Sequence, residues 1–273
     1  MPASAASAPA ADIPYVLKSQ AGAIVTLTLN RGDKFNALSE QMLDALQAEL
    51  DALADDDSVR VVVLAAAGRA FCAGHDLKQM RGGGDGGCGP SAEYYKALFN
   101  QCSKLMLTIQ KLPQPVIARV QGIATAAGCQ LVAMCDLAVA AAEAQFAVSG
   151  INVGLFCATP AVGLSRNIGR KEAMEMLLTG DFIDADTARQ RGLVNRVVAA
   201  GQLDAEVAKL AAAIVAKPAV AVALGKQLFY KQLEMGIASA YQLAGQTMAC
   251  NMMDESALEG VHAFIDKRKP AWR

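Results

Sequence analysis

Residues Pro115–Ala140 read "PVIARVQGIATAAGCQLVAMCDLAVA". The run "VIARV" has the β-branched, apolar character of a buried strand, and small residues with Gly128 lead from it into an apolar helical stretch. A strand that turns through small residues into a helix offers the first unpaired N–H groups of that helix to whatever lies beyond the strand. The same form occurs a second time, where "VVVLAAA" (Val61–Ala67) runs into "FCAGHDL" (Phe71–Leu77). Two N–H groups from two such loops suit a developing enolate or tetrahedral oxygen, a stabilisation of several kcal/mol. The small residues equally permit close helix packing, and composition leaves both readings open. Gln130, one turn into the helix, is an amide and exchanges no proton at neutral pH.

Outward from this stretch, strands and helices alternate. "AIVTLTLN" (Ala23–Asn30) has the period of a half-buried strand. Ser39 is placed to cap a helix, with Glu40 in its first turn, and Met42, Leu43, Leu46, Leu50 and Leu53 fall on one face of it. "VRVVVLAAAG" (Val59–Gly68) reads as a strand covered on both sides. A long helix follows, its buried face running from Tyr95 through Phe99, Cys102 and Met106 to Leu112, and Pro113 and Pro115 end it. The alternation continues to about Phe146 and implies βαβ-type crossovers. From Thr159 onward the chain reads as helical, with breaks near Gly180, Gly192 and Lys217–Pro218. The reading is one α/β domain with a helical C-terminal part.

Composition narrows the classes. Of 273 residues, 53% are hydrophobic and 19% charged, which fits a well-buried core and not a disordered chain. A net charge of −1 gives no field to attract nucleic acid or an acidic membrane, and no apolar run approaches the ~18 residues of a spanning helix. "MPASAASAPAADIP" lacks the basic start of a secretory leader and the arginines of a transit peptide, so residues 1–12 are expected to form a disordered tail. The glycine stretch "RGGGDGGCGP" (Arg81–Pro90) is expected to be irregular and mobile. Seven cysteines (72, 88, 102, 129, 135, 157 and 250) form no C-x-x-C pair, so neither zinc nor a disulfide framework is indicated, and a reducing cytoplasm is the expected location.

Several segments together resemble the crotonase (enoyl-CoA hydratase/isomerase) superfamily. They are "NALS" (Asn36–Ser39), "AFCAGHDLK" (Ala70–Lys78), the opening stretch, "AMEMLLTGDFIDADTARQRGLVNRVV" (Ala173–Val198) and "KRKPAW" (Lys267–Trp272), in family order over nearly everything after Ile13. The resemblance implies a spiral of ββα units in two sheets over residues 13–198, with an acyl-CoA pocket. It further implies a helical trimerisation region over 199–273, a homotrimer or hexamer, and an acyl-CoA thioester as ligand, as in fatty acid metabolism. Coenzyme A is then part of the substrate and no separate cofactor is implied. The thioester oxygen is expected between the N–H groups of His75 and Ala127. Lys34 and Ala37 are expected to flank the CoA entrance, with Ala73, His75, Asp76, Leu77 and Lys78 along its track. Phe264 and Lys267 are expected to reach the CoA of a neighbouring subunit.

The departures from the family matter as much. Its hydratases carry two glutamates for acid/base work; the matching positions here are Gln130 and Gly150. Where the family has two glycines, this chain has Ala126 and Ala127. Proton transfer by a positioned side chain contributes roughly 10²–10⁴-fold, so efficient hydration is not expected. His75 has the right type of side chain to substitute, Asp76 to fix the loop, Cys157 to act as a nucleophile, and Ser149 and Asn152 to hold a water. Gln130 itself is able to hold a carboxylate or amide of the acyl group, and His262 reads as a helix-surface residue. Three readings follow: an acyl-CoA enzyme with altered acid/base residues, a non-catalytic acyl-CoA-binding or regulatory homologue, and a cysteine hydrolase using Cys157. Without the glutamates, decarboxylation of a malonyl-type thioester or slow hydrolysis stays open to the first.

Overall fold

The alternating run "AIVTLTLN" forms strand β2 (Ile24–Leu29), with Val25, Leu27 and Leu29 fully buried. A computed structural model describes residues 13–82 and 90–272; the expected tail over residues 1–12 and most of the glycine stretch, Cys88 included, lie outside the described residues. β1 (Val16–Ala21) pairs antiparallel with β2. Ser39 accepts the N–H of Met42 at 3.2 Å and so caps α1 (Glu40–Ala54), which buries the five residues of its predicted apolar face.

From here the chain climbs in repeating units that give one strand to each of two sheets. β3 (Val61–Ala66) is followed by β4 (Ala70–Cys72), then α2 (Leu77–Gly82) and the long α3 (Ala92–Lys111). Next come β5 (Val116–Val120), β6 (Ile123–Thr125) and α4 (Ala127–Met134). The third unit supplies β7 (Leu137–Ala141) and β8 (Gln145–Ala147), followed by α5 (Ala158–Leu164) and α6 (Arg170–Thr179). β9 (Ile183–Asp184), α7 (Ala185–Gln190) and β10 (Arg196–Val198) complete the core. One sheet has the order β1-β2-β3-β5-β7-β10 and is parallel apart from the β1–β2 pair. The other has the order β4-β6-β8-β9 and is parallel apart from β8–β9. This is the α/β spiral that the resemblance implied.

Two elements correct the expectation of a wholly helical chain after Thr159. β9 and β10 are only two and three residues long, too short for periodicity to mark them. They form because β8 and β7 present open edges to which they pair. Arg81 and Gly82, read as part of the glycine loop, instead end α2.

The C-terminal helices are α8 (Leu203–Val215), α9 (Ala219–Leu233), α10 (Ile237–Met252) and α11 (Glu255–Ile265). α8 lays Leu203, Val207 and Ala211 against Val61, Val63, Ile117, Val139 and Ala141, covering one side of the larger sheet. α9 is anchored by a buried ion pair, Lys226 Nζ to Asp136 Oδ2 at 2.7 Å. Every proton of that ammonium has a partner, because Lys226 also donates to the carbonyls of Ile109 and Gln114 at 2.9 Å. Asp136 in turn accepts from the N–H of Val116 and from Tyr230 Oη at 2.9 Å. Among the described residues no single helix is long and apolar enough to cross a membrane.

Candidate functional site

The two strand-to-helix loops meet. Asn36 is fully buried and donates to the carbonyls of Ala67 (2.8 Å) and Ala70 (2.9 Å), which fixes the entry to the first loop. Leu38 N–H donates to Gly74 O at 2.8 Å, so residues 38 and 75 form a single bridge of parallel β pairing. Gly74 has φ +87°, and a Cβ there would stand 2.8 Å from the methyl of Ala126 and 3.2 Å from the nitrogen of Ala127. Only glycine supplies both that angle and that closeness. On the other side Ala126 takes φ 50°, ψ −123°, and α4 starts at Ala127. Neither the N–H of His75 nor that of Ala127 donates to another group among the described residues.

Both residues line an apolar cavity of about 230 Å³, walled by Leu77, Met80, Phe99, Val153, Leu155 and Phe156 and floored by Ala126, Ser149, Gly150 and Cys157. Among the described residues no charged side chain lines it, and the titratable groups on its wall are His75 and Cys157. The His75 ring meets Phe99 edge-on at 5.5 Å, and its Nδ1 lies 3.3 Å from the carbonyl of Leu38. Burial holds the His75 pKa below the ordinary histidine value, against the opposing effect of the Leu38 carbonyl. Its Nε2 is buried and has no hydrogen-bond partner among the described residues.

Gly150 is closed to any side chain. Its N–H donates to Cys157 Sγ at 3.3 Å, and a Cβ at this position would stand 2.5 Å from Leu155 O and 2.7 Å from that sulfur. The thiol therefore occupies the space that a side chain at residue 150 would need. Burial raises the Cys157 pKa, only partly offset by the Gly150 N–H, so the sulfur is a protonated thiol. Ser149 Oγ is tied to Thr125 Oγ1 at 2.8 Å.

A second, polar depression of about 380 Å³ lies on the other side of the α2 N-terminus, lined by Tyr15, Arg31, Lys34, Ala37, Ser39, Gln41, Asp76, Lys78, Gln79 and Gly82. The residues expected along one CoA track are thus divided. Ala73, His75 and Leu77 line the apolar cavity, whereas Lys34, Ala37, Asp76 and Lys78 line the basic depression. Asp76 Oδ1 accepts the N–H groups of Lys78 (2.9 Å) and Gln79 (3.2 Å), which fixes the loop as expected of it. Phe264 and Lys267, at the end of α11, border neither space; Phe264 is 85% exposed. His262 is on the surface.

Two expectations need correction. Gln130 is only 4% exposed and does not line the cavity: it sits one turn deeper along α4 than Ala127, its Oε1 buried without a partner among the described residues. Asn152 turns away from the cavity, its amide 3.4 Å from Gly180 O at the end of α6, because it lies in a short 3₁₀ turn (Ser149–Val153) packed on that helix. Sequence reasoning missed Met80, Phe99, Leu155 and Phe156 as cavity walls. Phe99 was assigned to the core face of α3, and one apolar face serves core and cavity alike. Arg31, stacked on Tyr15 with its guanidinium 3.8 Å from the ring centre, was likewise missed.

A family model described as "Enoyl-CoA hydratase/isomerase" matches residues 19–273. The crystal structure of an enoyl-CoA hydratase from Mycobacterium smegmatis superposes with a TM-score of 0.92 at 64% identity, covering 95% of this chain and 99% of that one. The crystal structure of human enoyl Coenzyme A hydratase domain-containing protein 3 gives a TM-score of 0.89 at 42% identity, covering 94% and 100%. The mitochondrial enoyl-CoA hydratase domain-containing protein 3 of Rattus norvegicus is 43% identical over 253 residues, 93% of this chain and 82% of its own length. Relatives of this kind are named as mitochondrial, which overturns the cytoplasmic expectation. Unpaired thiols report only a reducing environment, and such an environment does not identify a compartment. From the motifs, the spiral and these matches together, the chain belongs to the enoyl-CoA hydratase/isomerase family.

Proposed function

We propose that this chain binds the thioester of coenzyme A with an uncharged, apolar acyl group, and holds the thioester oxygen between the N–H groups of His75 and Ala127. The observation that carries this reading is the meeting of the two loops over Gly74. It leaves two undonated N–H groups beside an apolar cavity, and α2 separates that cavity from a depression bearing Arg31, Lys34 and Lys78. Ammonium and guanidinium groups suit the phosphates of CoA, and the aliphatic and aromatic wall suits a hydrocarbon chain. Among the described residues the cavity has no cation, which disfavours a malonyl-type acyl group, whose carboxylate would be buried unpaired.

In this reading the protein is an acyl-CoA enzyme of hydratase/isomerase type with an altered acid/base set, and hydration is not its efficient reaction. Gln130 supplies no proton, and a side chain at residue 150 would run its Cβ into Leu155 O and the Cys157 thiol. The same two features support the alternative of a non-catalytic acyl-CoA-binding homologue. A cysteine hydrolase is disfavoured, since burial keeps Cys157 protonated. Exposed apolar residues on α10 and α11 (Ile237 77%, Tyr241 75%, Met248 69%, Ile265 68%) support self-association, which we assign to a homotrimer or hexamer.

Calorimetric titration with butyryl-CoA, malonyl-CoA and free CoA tests the binding. The expected order is butyryl-CoA tightest, with malonyl-CoA no tighter than CoA itself. Absence of butyryl-CoA binding, or a preference for malonyl-CoA, would refute the proposal.

A further inference from the structure

We infer that Phe99, together with Met80, sets the length of acyl chain that the cavity accepts, and that the limit falls at medium chains. This rests on the acyl-CoA reading above and names the acyl class that it leaves open. Three observations lead to it. The first is size: the cavity measures about 230 Å³, and at roughly 30 Å³ per water-sized volume that is on the order of eight non-hydrogen atoms. The thioester carbonyl accounts for two of them, which leaves room for about six carbons beyond it. The second is the division of the wall by exposure. Leu77, Val153, Leu155 and Phe156 are between 42% and 67% exposed and form its open side, whereas Met80, Ala127 and Cys157 are buried. Away from the open side the wall is built largely of small residues such as Ala126, Ala127, Ser149 and Gly150, and its bulky side chains are Met80 and Phe99.

The third observation is that this bulky part of the wall is held in place. The Phe99 ring meets His75 edge-on at 5.5 Å and stacks on Tyr95 at 6.4 Å, with 17° between the planes. Tyr95 Oη donates to the carbonyl of Met80 at 3.2 Å and so ties α3 to α2. The His75 ring is itself seated against the carbonyl of Leu38 through Nδ1. Each methylene that a longer chain buries in the cavity raises affinity about fourfold. Once the chain reaches a ring that does not yield, the next carbon presses on the wall or returns to water, and the gain stops. Truncating Phe99 adds room inside the cavity. Truncating Phe156, on the open side, widens the mouth and adds no room within.

The test is a calorimetric series with the straight-chain saturated thioesters butyryl-, hexanoyl-, octanoyl-, decanoyl- and dodecanoyl-CoA, each affinity taken relative to free CoA. In the wild type affinity should rise about tenfold for each pair of carbons, up to hexanoyl- or octanoyl-CoA, and level off beyond. In Phe99→Ala the rise should continue at least to decanoyl-CoA. Phe156→Ala should weaken the whole series and leave the levelling point where it was. A wild-type series that still climbs past octanoyl-CoA, or that stops at butyryl-CoA, would overturn the medium-chain limit. A levelling point that Phe99→Ala does not move, or that Phe156→Ala moves equally, would overturn the assignment to Phe99. Should Phe99→Ala not fold, Phe99→Leu and Met80→Ala decide, since each is expected to shift the levelling point to longer chains and an unmoved point in both rejects the proposal. If no thioester binds more tightly than free CoA, the acyl-CoA reading itself falls, so the two failures are distinct.

Discussion

Ala126 takes φ 50°, ψ −123°, an angle pair that suits glycine and is costly for any residue with a Cβ. Strain of this kind amounts to about 1–3 kcal/mol at one residue. It persists because the Ala126 N–H is tied to Ala147 O at 3.0 Å and α4 must start at the next residue. Ala126→Gly is therefore predicted to raise the thermal midpoint by about 2–4 °C, with butyryl-CoA affinity retained; a lowered midpoint would show that the methyl packs to more advantage than the angle costs. Sequence alone identified this pair of alanines as a departure but had no means of saying which of them bears the strain. The exclusion at Gly150 was equally invisible. That residue and Cys157 are seven positions apart, and the sulfur that fills the space is brought there by a loop without periodicity.

Among the elements, α9 is the clearest case of a helix held by a single buried cluster. Lys226 is 5% exposed and Asp136 13%, and burial lowers the lysine pKa against the raising effect of its aspartate partner. Removing one member leaves the other buried and unpaired, which typically costs about 3–5 kcal/mol. Lys226→Ala should lose that much in urea-induced unfolding, whereas Lys226→Met, which keeps the apolar stem, should lose less. An unchanged unfolding midpoint in Lys226→Ala would mean that α9 is held by its apolar contacts alone. The long elements were legible in the sequence because their burial repeats: α1 and α3 by helical spacing, β2 by alternation, β3 by an unbroken apolar run. β4, β6 and β8 were not, since three residues contain no period, and their existence is decided by the strands beside them in the second sheet.

For the molecule as a whole, the order of its motifs made the family legible, and the spiral brings the two strand-to-helix loops together as those motifs required. The walls of the cavity were less legible. Met80, Phe99, Leu155 and Phe156 come from two helices and a loop, and their convergence is a tertiary fact. What results, among the described residues, is an apolar cavity with two N–H groups that donate to no other group, a neutral histidine, and no carboxylate on its wall, next to a basic depression. The central claim is that such a site binds an acyl-CoA yet cannot deliver water to it. The most direct test follows the enoyl absorbance of crotonyl-CoA at saturating ligand and high protein concentration. The account predicts binding with an absorbance that stays at the protein-free rate of decay. Turnover in the usual range of enzymes, about 1–10³ s⁻¹, would contradict it and show that Gln130 or a neighbour serves the water after all.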